Sequence, residues 1–578
     1  MADPAQSNDI HSAYADFLDR MARMAIGKTT GGMAPSTLWS AMADWAVHLG
    51  TAPGKQATLS EKAMRAPGLV AARLFEPDTA LPVTDDRRFS SELWDTPPYS
   101  VMRDSFLLTE DWWQSATTGV RGMMPGNEAA LSFAVRQALD TVSPTNFPHL
   151  NPEVLTRARD THGASVVQGL MNTAADVAGR VTPGTAEPQT PPELTVGAGL
   201  AATPGKVVAR SHLAELIQYT PTTENVHPEP VLIVPAWIMK YYILDLSAHN
   251  SMVSWLVDQG YTVFMISWRN PGAEDRDLGM QDYLDQGPRM ALDAIEAITG
   301  SRRIHATGYC LGGTLLAIQA AAMKREGDDR LASMTLLAAQ VDFSEPGELA
   351  LFVSEAQVAL LEDLMAQQGY LDGNQMAGAF TMLRSNDLVW SRLIHEKMMG
   401  ERAEPNDMMA WNADTTRMPY RMHSEYLRGL FLENRLSHGK YRIDGKTVSL
   451  SDLDLPICAV GTEKDHVAPW TSVYKIHHLT DADITFVLTN GGHNAGIISE
   501  PGHRHRHYRM ATTPHAGRYL DHEAWCDATP VTEGSWWLGW ADWLQARSGA
   551  RTAPPPTGRP EAGYPVLDAA PGQYVFQM

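Results

Sequence analysis

The chain has 578 residues, 44% of them hydrophobic, so it can bury a full core and is long enough for several domains. Its net charge of −21 excludes general nucleic-acid binding, because phosphate backbones bind basic surfaces. Its three cysteines are too few for a disulfide framework, which is typical of a protein in a reducing cytoplasm.

Residues 1–190 are predicted to form a mainly helical N-terminal domain. Helical spacing occurs at residues 13–25 and 128–142, without strand alternation of comparable strength. The first residues lack a basic region followed by an apolar core, and no stretch approaches the roughly 18 apolar residues that span a bilayer, so we expect no signal peptide and no transmembrane segment. Residues 182–192 are too rich in proline for regular structure and mark the expected domain boundary.

The next part of the chain is typical of an α/β fold. Over residues 191–341, apolar runs such as 231–234 alternate with helical patterns, which predicts a mainly parallel sheet with helices on both faces. The alternation stops at 342–437, which is helical and contains many methionines and tryptophans, and it resumes over 438–548. We therefore predict a catalytic core interrupted by a cap insertion over the active site. The proline- and glycine-rich residues 549–578 are expected to form a loosely ordered tail.

Residues 308–313, Gly-Tyr-Cys-Leu-Gly-Gly, lie between a strand-like run and a helix-like stretch. This is the pattern of a nucleophile elbow in which cysteine replaces the usual serine. Gly308 and Gly312 occupy the positions that must be small because the strand turns sharply into the helix. Cys310 would lie at a helix N-terminus, whose free N–H groups and dipole favour a thiolate. Because cysteine is also a common core residue, its partners decide whether it is a nucleophile.

Two later strand-like runs supply candidate partners for Cys310. The first leads into Asp465 and His466, and the second leads into His493 within Gly-Gly-His-Asn. The chain order of nucleophile, acid and histidine is that of the α/β-hydrolase fold, so we predict the triad Cys310, Asp465 and His493. His466 competes for the histidine role, but side chains at adjacent positions diverge, which favours His493.

A cysteine nucleophile suits acyl transfer from a thioester, because the acyl-cysteine is itself a thioester and transfer to a hydroxyl stays downhill. His493 is predicted to deprotonate Cys310, while Asp465 either orients His493 or polarises the acceptor hydroxyl. The predicted oxyanion donors are the N–H of Leu311 and an N–H from the loop after the strand at 231–234, which we assign to Ile238.

Four further stretches extend the pattern beyond the elbow: 240–246, 267–271, 386–390 and 465–470. With them the chain resembles, over about residues 90 to 545, the polyhydroxyalkanoate synthases and in particular the single-subunit class I enzymes. The resemblance implies the α/β-hydrolase fold, (R)-3-hydroxyacyl-CoA as substrate, and a polyester and free coenzyme A as products, with no separate cofactor. It implies that Cys310 is the nucleophile and His493 the base, with Asp465 assisting. It also implies a growing polyester chain and a storage-granule surface in the cytoplasm as partners, and a homodimer.

Three further residues are assigned to substrate binding. Asp245 lies in the first of the four stretches, and Arg504 and Arg506 lie in a histidine- and arginine-rich string at 503–507. No metal site is predicted there, because nothing nearby completes a ligand set and interleaved arginines repel cations. A solvated basic loop is the simplest interpretation of the string. Its place just after His493 favours contact with coenzyme A phosphates.

Two other functions stay open. A cysteine-dependent thioesterase or esterase would use the same triad and pass the acyl group to water. A polymerase must exclude water from the acyl-enzyme, which the large insertion at 342–437 favours. A non-catalytic scaffold of storage granules is the third hypothesis, and the complete set of Cys310, Asp465 and His493 argues against it.

Overall fold

The computed structural model of the chain describes residues 19–23, 34–76, 86–181, 191–373, 375, 378 and 389–578. The chain divides into two compact units, each made of two segments. The first unit is Met1–Gln189 with Ala377–Glu404, and the second is Thr190–Met376 with Pro405–Met578. No helix within the described ranges combines the length and apolarity needed to cross a bilayer.

The first unit is helical, as the sequence predicts. Within its described residues, four helices have proline in their first turn, where the missing N–H costs nothing because it has no intrahelical partner. Most of the predicted helix at 13–25, and residues 182–190 of the proline-rich stretch, lie outside the described residues. The helices are α1 (Pro35–Gly50), α2 (Pro53–Phe75), α3 (Tyr99–Thr117), α4 (Pro125–Thr141), α5 (Pro152–Asp160) and α6 (Ala164–Val181).

The second unit is built on one 11-stranded sheet of order β16-β15-β14-β13-β8-β7-β3-β6-β2-β1-β17. The six central strands, from β14 to β6, are parallel, and the flanking strands on both sides are antiparallel. The strands of this sheet are β1 (Gly205–Arg210), β2 (Ala214–Tyr219), β3 (Val231–Val234), β6 (Val263–Trp268), β7 (Ile304–Tyr309), β8 (Leu331–Leu337), β13 (Ile457–Thr462), β14 (Ile484–Thr489), β15 (His507–Thr513), β16 (Val531–Glu533) and β17 (Asp568–Ala569). The short strands are β4 (Asp245–Ser247), β5 (Asn250–Ser251), β9 (Tyr370–Leu371), β10 (Met418–Pro419), β11 (Arg442–Ile443) and β12 (Lys446–Thr447).

Helices cover both faces of this sheet. Successive residues of β3 alternate between two apolar cores, Leu232 on one face and Ile233 on the other, because side chains of a strand point to opposite sides. A central strand buried on both faces therefore has an unbroken apolar sequence. The helices are α7 (Met252–Asp258), α8 (Met280–Leu284), α9 (Met290–Thr299), α10 (Leu311–Glu326), α11 (Glu355–Gln368), α12 (Asp407–Ala413), α13 (Tyr420–Tyr426), α14 (Trp470–Tyr474), α15 (His522–Ala528) and α16 (Trp536–Gln545).

The insertion predicted at 342–437 is divided between the two units. Residues 377–404 group with the N-terminal helices, and the rest belongs to the second unit. In the second unit the segment around α12 packs on the loop after β3. Trp411 Nε1 donates to the Lys240 carbonyl at 2.8 Å, and Thr416 Oγ1 donates to the Trp237 carbonyl at 2.9 Å. This part of the insertion therefore supports the loop that was predicted to supply an oxyanion donor.

Residues 549–578 are packed on the core, in contrast to the loose order that their proline and glycine content led us to expect. β17 pairs with β1, and the Gln573 and Tyr574 N–H groups donate to buried Glu215 at 2.9 and 3.0 Å. Lys240 Nζ donates to the Gln577 carbonyl at 2.6 Å. The expectation failed because proline and glycine content indicates only the local preference of the backbone. The contacts that order this segment depend on partners far away in the chain.

Candidate active site

Cys310 lies at the sharp turn between β7 and α10, with φ 52° and ψ −125°. Non-glycine residues rarely adopt this conformation, and its strain is characteristic of a nucleophile elbow. A Cβ atom at Gly312 would lie 2.1 Å from the Val234 carbonyl oxygen, and one at Gly308 would lie 2.4 Å from the Gly313 Cα. The backbone therefore requires glycine at both predicted positions. The Cys310 N–H donates to the Leu337 carbonyl at 2.9 Å, which fixes the turn against β8.

Asp465 and His493 follow the neighbouring parallel strands β13 and β14, so they emerge at the same edge of the sheet. His493 Nδ1 lies 2.7 Å from Asp465 Oδ2. Asp465 Oδ1 accepts the N–H groups of Val467 and Ala468, each at 2.8 Å, and the Asp465 side chain is 0% exposed. Both carboxylate oxygens are thus engaged inside the fold.

The structure brings His493 and Cys310 together. Because Nδ1 of His493 faces Asp465, its other ring nitrogen is left for Cys310, whose charge acts on the imidazole. Burial disfavours the imidazolium, yet the Asp465 carboxylate, the charge on Cys310 and the hydrogen bond to Asp465 raise the pKa of His493 well above its ordinary value. This arrangement is suited to proton transfer from Cys310 to His493. His466, the competing histidine, does not take this place.

The two predicted oxyanion donors lie on adjoining segments. Leu311 is the first residue of α10, directly after Cys310, and it is buried. Ile238 lies in the loop after β3, and β3 pairs with β7 so that Val234 faces Gly308. Ile238 is half-buried and packs against an apolar core that Cys310 also contacts. The assignment of these two N–H groups stays a prediction.

Comparisons with known proteins agree with this geometry. Residues 85–256 match the family model "Poly-beta-hydroxybutyrate polymerase (PhaC) N-terminus", residues 13–55 match "Poly-beta-hydroxybutyrate polymerase N terminal", and residues 229–499 match "alpha/beta hydrolase fold". The poly(3-hydroxyalkanoate) polymerase subunit PhaC of Rhizobium meliloti is 38% identical over 85% of this chain and 79% of its own length. The chain belongs to the poly(3-hydroxyalkanoate) polymerase family.

Other members of the family are similarly close. The poly(3-hydroxyalkanoate) polymerase of Methylorubrum extorquens is 38% identical over 86% of this chain and 81% of its own length. The PhaC subunit of Cupriavidus necator is 34% identical over 85% of this chain and 83% of its own length. The predicted family, fold class and enzyme class are confirmed by these matches.

Asp245 in this polymerase-family chain is buried within the second unit. Its Oδ1 accepts the hydroxyl groups of Thr203 at 2.5 Å and Ser251 at 2.7 Å. Burial raises the pKa of Asp245, and these hydrogen bonds partly oppose that effect. The carboxylate is therefore hydrogen-bonded inside the fold. The predicted substrate binding requires an accessible carboxylate, and Asp245 is buried. The surrounding apolar run could not show this, because the partner hydroxyls lie elsewhere in the chain.

The two arginines assigned to coenzyme A differ in their surroundings. Arg506 is half-buried and donates to the carbonyls of Asn490 at 3.3 Å and Ala495 at 2.5 Å, on either side of His493. It therefore supports the backbone of the His493 loop, where the sequence predicted phosphate binding. Arg504 is exposed, and its predicted contact with coenzyme A stays a prediction. Across the described ranges, no group of three or more His, Cys, Asp or Glu side chains is placed to hold a metal ion.

Two tryptophans of α16 also fix the His493 loop. Trp536 Nε1 donates to the Gly496 carbonyl at 3.1 Å, and Trp537 Nε1 donates to the Ile497 carbonyl at 2.9 Å. Both indoles are fully buried. Because the donors reach backbone carbonyls, no motif in the loop sequence could have predicted these contacts.

Tyr426, at the end of α13, is a site residue that sequence reasoning missed. Burial and the charge on Cys310 raise the pKa of Tyr426 well above its ordinary value, so its phenol stays neutral. Its ring lies 6.1 Å from that of Trp237 and 5.2 Å from that of Phe431, each in an edge-on arrangement. The insertion thus contributes an aromatic wall near the nucleophile. No local pattern around Tyr426 predicts this position, because it depends on how the insertion folds back.

Proposed function

We propose that this chain polymerises (R)-3-hydroxyacyl-CoA into polyhydroxyalkanoate, with release of coenzyme A, through an acyl thioester on Cys310. Membership of the polymerase family supports the overall reaction. The observation that carries the cysteine mechanism is the 2.7 Å hydrogen bond between His493 and Asp465, next to a Cys310 whose charge acts on the same imidazole. No cofactor is required, because the thioester of the substrate supplies both the acyl group and the driving force.

The acylation step follows from the positions of these side chains. His493 takes the proton of Cys310, and the thiolate sulfur attacks the thioester carbonyl of the substrate. The N–H groups of Leu311 and Ile238 stabilise the negative oxygen of the tetrahedral intermediate. When the intermediate collapses, the carbon–sulfur bond to coenzyme A breaks, and the His493 imidazolium protonates the leaving thiolate.

Elongation uses the same groups in the next cycle. A hydroxyl at the end of a hydroxyacyl group attacks the carbonyl of an acyl thioester, and His493 accepts the hydroxyl proton. A new ester bond forms, the carbon–sulfur bond of that thioester breaks, and the His493 imidazolium returns the proton to the leaving sulfur. We assign Asp465 to the orientation of His493, because both of its oxygens are engaged and its side chain is inaccessible to an acceptor hydroxyl.

The assay that tests this proposal follows coenzyme A thiol release and turbidity together, with (R)-3-hydroxybutyryl-CoA as substrate. Thiol release with insoluble polymer is the expected result, and Cys310→Ala should abolish both signals. Thiol release with free hydroxy acid would instead identify a thioesterase. Absence of thiol release by the purified wild-type chain would contradict catalysis and favour the granule scaffold.

The partners implied by family resemblance complete the proposal. The growing polyester stays with the enzyme at a granule surface, and the chain forms a homodimer. Light scattering on a size-exclusion column tests the homodimer, since a monomeric mass at assay concentration would contradict it. Co-sedimentation of the chain with its own polymer after the assay tests whether the polyester stays with the enzyme.

A further inference from the structure

The residue before the nucleophile is hydrogen-bonded to the residue after the base. The Tyr309 hydroxyl donates to Asn494 Oδ1 at 2.6 Å, while Cys310 follows Tyr309 and His493 precedes Asn494 in the sequence. The Tyr309 ring also lies 5.8 Å from the His493 ring, at an interplanar angle of 37°. One side-chain contact therefore joins the nucleophile elbow directly to the loop of the base.

The backbone of the sheet does not make this connection. β7, which ends at Tyr309, and β14, which leads to His493, are separated in the sheet by β8 and β13. Without a contact between the two loops, the distance between Cys310 and His493 would depend only on the pairing of four successive strands, β7, β8, β13 and β14. The Tyr309–Asn494 hydrogen bond is such a link, and a phenylalanine at position 309 would fill the same space without making it.

The environment keeps Tyr309 a hydrogen-bond donor. Its side chain is buried, with 3% of the residue exposed. Burial and the negative charges on Cys310 and Asp465 raise the pKa of Tyr309 well above its ordinary value, so the phenol stays protonated throughout the working pH range. Its proton is thus always available to Asn494, whatever the charge state of the catalytic pair.

We propose that the Tyr309–Asn494 hydrogen bond holds the His493 imidazole in place against the Cys310 sulfur. Tyr309 and Asn494 are positioning residues for the reaction, and their role rests on the proposed function of Cys310 and His493. Small displacements of a base from its nucleophile reduce rates steeply, because proton transfer depends on hydrogen-bond geometry. Loss of one such hydrogen bond should lower the rate roughly three- to tenfold.

The test compares Tyr309→Phe, Asn494→Leu and the double variant with the wild-type chain. The first readout is the rate of Cys310 alkylation by iodoacetamide as a function of pH, with the adduct located by mass spectrometry. The second is kcat and KM with (R)-3-hydroxybutyryl-CoA. At about pH 7 alkylation should slow roughly three- to tenfold in each variant, because a displaced imidazolium stabilises the thiolate less. At about pH 10 the rate should change less, because a thiol ionises there without help from an imidazolium. The value of kcat should fall by a similar factor, while KM stays unchanged.

The double variant identifies the bond itself. Because both substitutions break the same hydrogen bond, the loss in the double variant should equal that of one single variant. Tyr261→Phe is the matched control. Its hydroxyl lies 3.2 Å from Ser548 Oγ in a partly buried contact. Tyr261 comes just before β6, so it lies at the opposite end of the parallel strands from Cys310. This control should keep wild-type alkylation and turnover.

Two results would overturn the proposal: wild-type alkylation and kcat in Tyr309→Phe, or losses in the double variant that add. Tyr309→Phe conserves size, so it decides the matter even if Asn494→Leu fails to fold. A wild-type chain in which Cys310 is alkylated no faster than a free thiol would reject the proposed nucleophile. That outcome is distinguishable, because it appears without any substitution.

Discussion

Asp465 Oδ2 lies 2.7 Å from His493 Nδ1, while Oδ1 of the same carboxylate accepts two backbone N–H groups at 2.8 Å. The carboxylate is thus anchored to the backbone on one side and orients an imidazole on the other. An anchored carboxylate fixes the tautomer in which Nδ1 carries the proton and the other ring nitrogen faces Cys310. The sequence alone left open whether Asp465 acts on the imidazole or on the acceptor hydroxyl, and this geometry favours the imidazole.

Asp465→Asn should therefore slow acylation and elongation to the same degree, by roughly 10³-fold or more, because an amide does not hold the imidazole in the required tautomer. Rapid-quench measurement of thiol release reports acylation, and turbidity reports elongation. Asp454→Asn, which changes an exposed carboxylate paired with Lys324, is the control and should behave as wild type. A defect confined to elongation would assign Asp465 to the acceptor hydroxyl instead.

Gly312→Ala should destabilise the core and abolish activity. The new methyl group would lie 2.1 Å from the Val234 carbonyl oxygen, and backbone atoms cannot move aside as a flexible side chain can. Overpacking of this kind costs about 1–3 kcal/mol or more, measurable as a lower urea midpoint. Gly68→Ala in α2, whose Cβ would meet nothing within 4 Å, is the control. Equal midpoints for Gly312→Ala and wild type would contradict the close approach of the two segments.

Arg506→Ala should lower both stability and kcat, with little change in KM. It removes two charged hydrogen bonds to the carbonyls of Asn490 and Ala495, at a cost of about 1–3 kcal/mol in the free energy of unfolding. Arg506→Lys should recover only part of this, because lysine lacks the planar fork. Arg504→Ala is the matched test of coenzyme A binding and should raise KM alone. A rise in KM without a change in kcat or stability for Arg506→Ala would instead support the predicted binding of coenzyme A phosphates by Arg506.

The sequence was sufficient to predict the site residues whose positions follow from the order of the strands. Cys310, Asp465 and His493 each follow a buried apolar strand, and parallel strands deliver such residues to one edge of the sheet. The glycines of the elbow were also predictable, because their reason is local and steric.

The contacts that refine the site were beyond that reasoning. Tyr309 and Asn494 are 185 positions apart, and their hydrogen bond exists only once β7 and β14 belong to one sheet. Arg506 was predicted for a ligand because a basic loop near a histidine suggests an anion, yet its donors meet backbone carbonyls that carry no sequence signature. Burial of Asp245 was hidden for the same reason, since its partners Thr203 and Ser251 are set by the fold.

The raised pKa of His493 predicts how stability changes with pH. Burial opposes the shift, but the charges of Asp465 and Cys310 overcome it, so the folded chain binds this proton more tightly than the unfolded chain does. The resulting stabilisation is fully present below the unfolded pKa of about 6.5 and is lost as pH rises through the folded pKa. The difference in urea midpoint between wild type and His493→Gln should therefore shrink from about pH 6 to about pH 10. The same comparison in a Cys310→Ala background should show a smaller change, because one of the two charges that raise the pKa is gone. A difference that stays constant with pH would mean that His493 carries no extra proton in the folded chain.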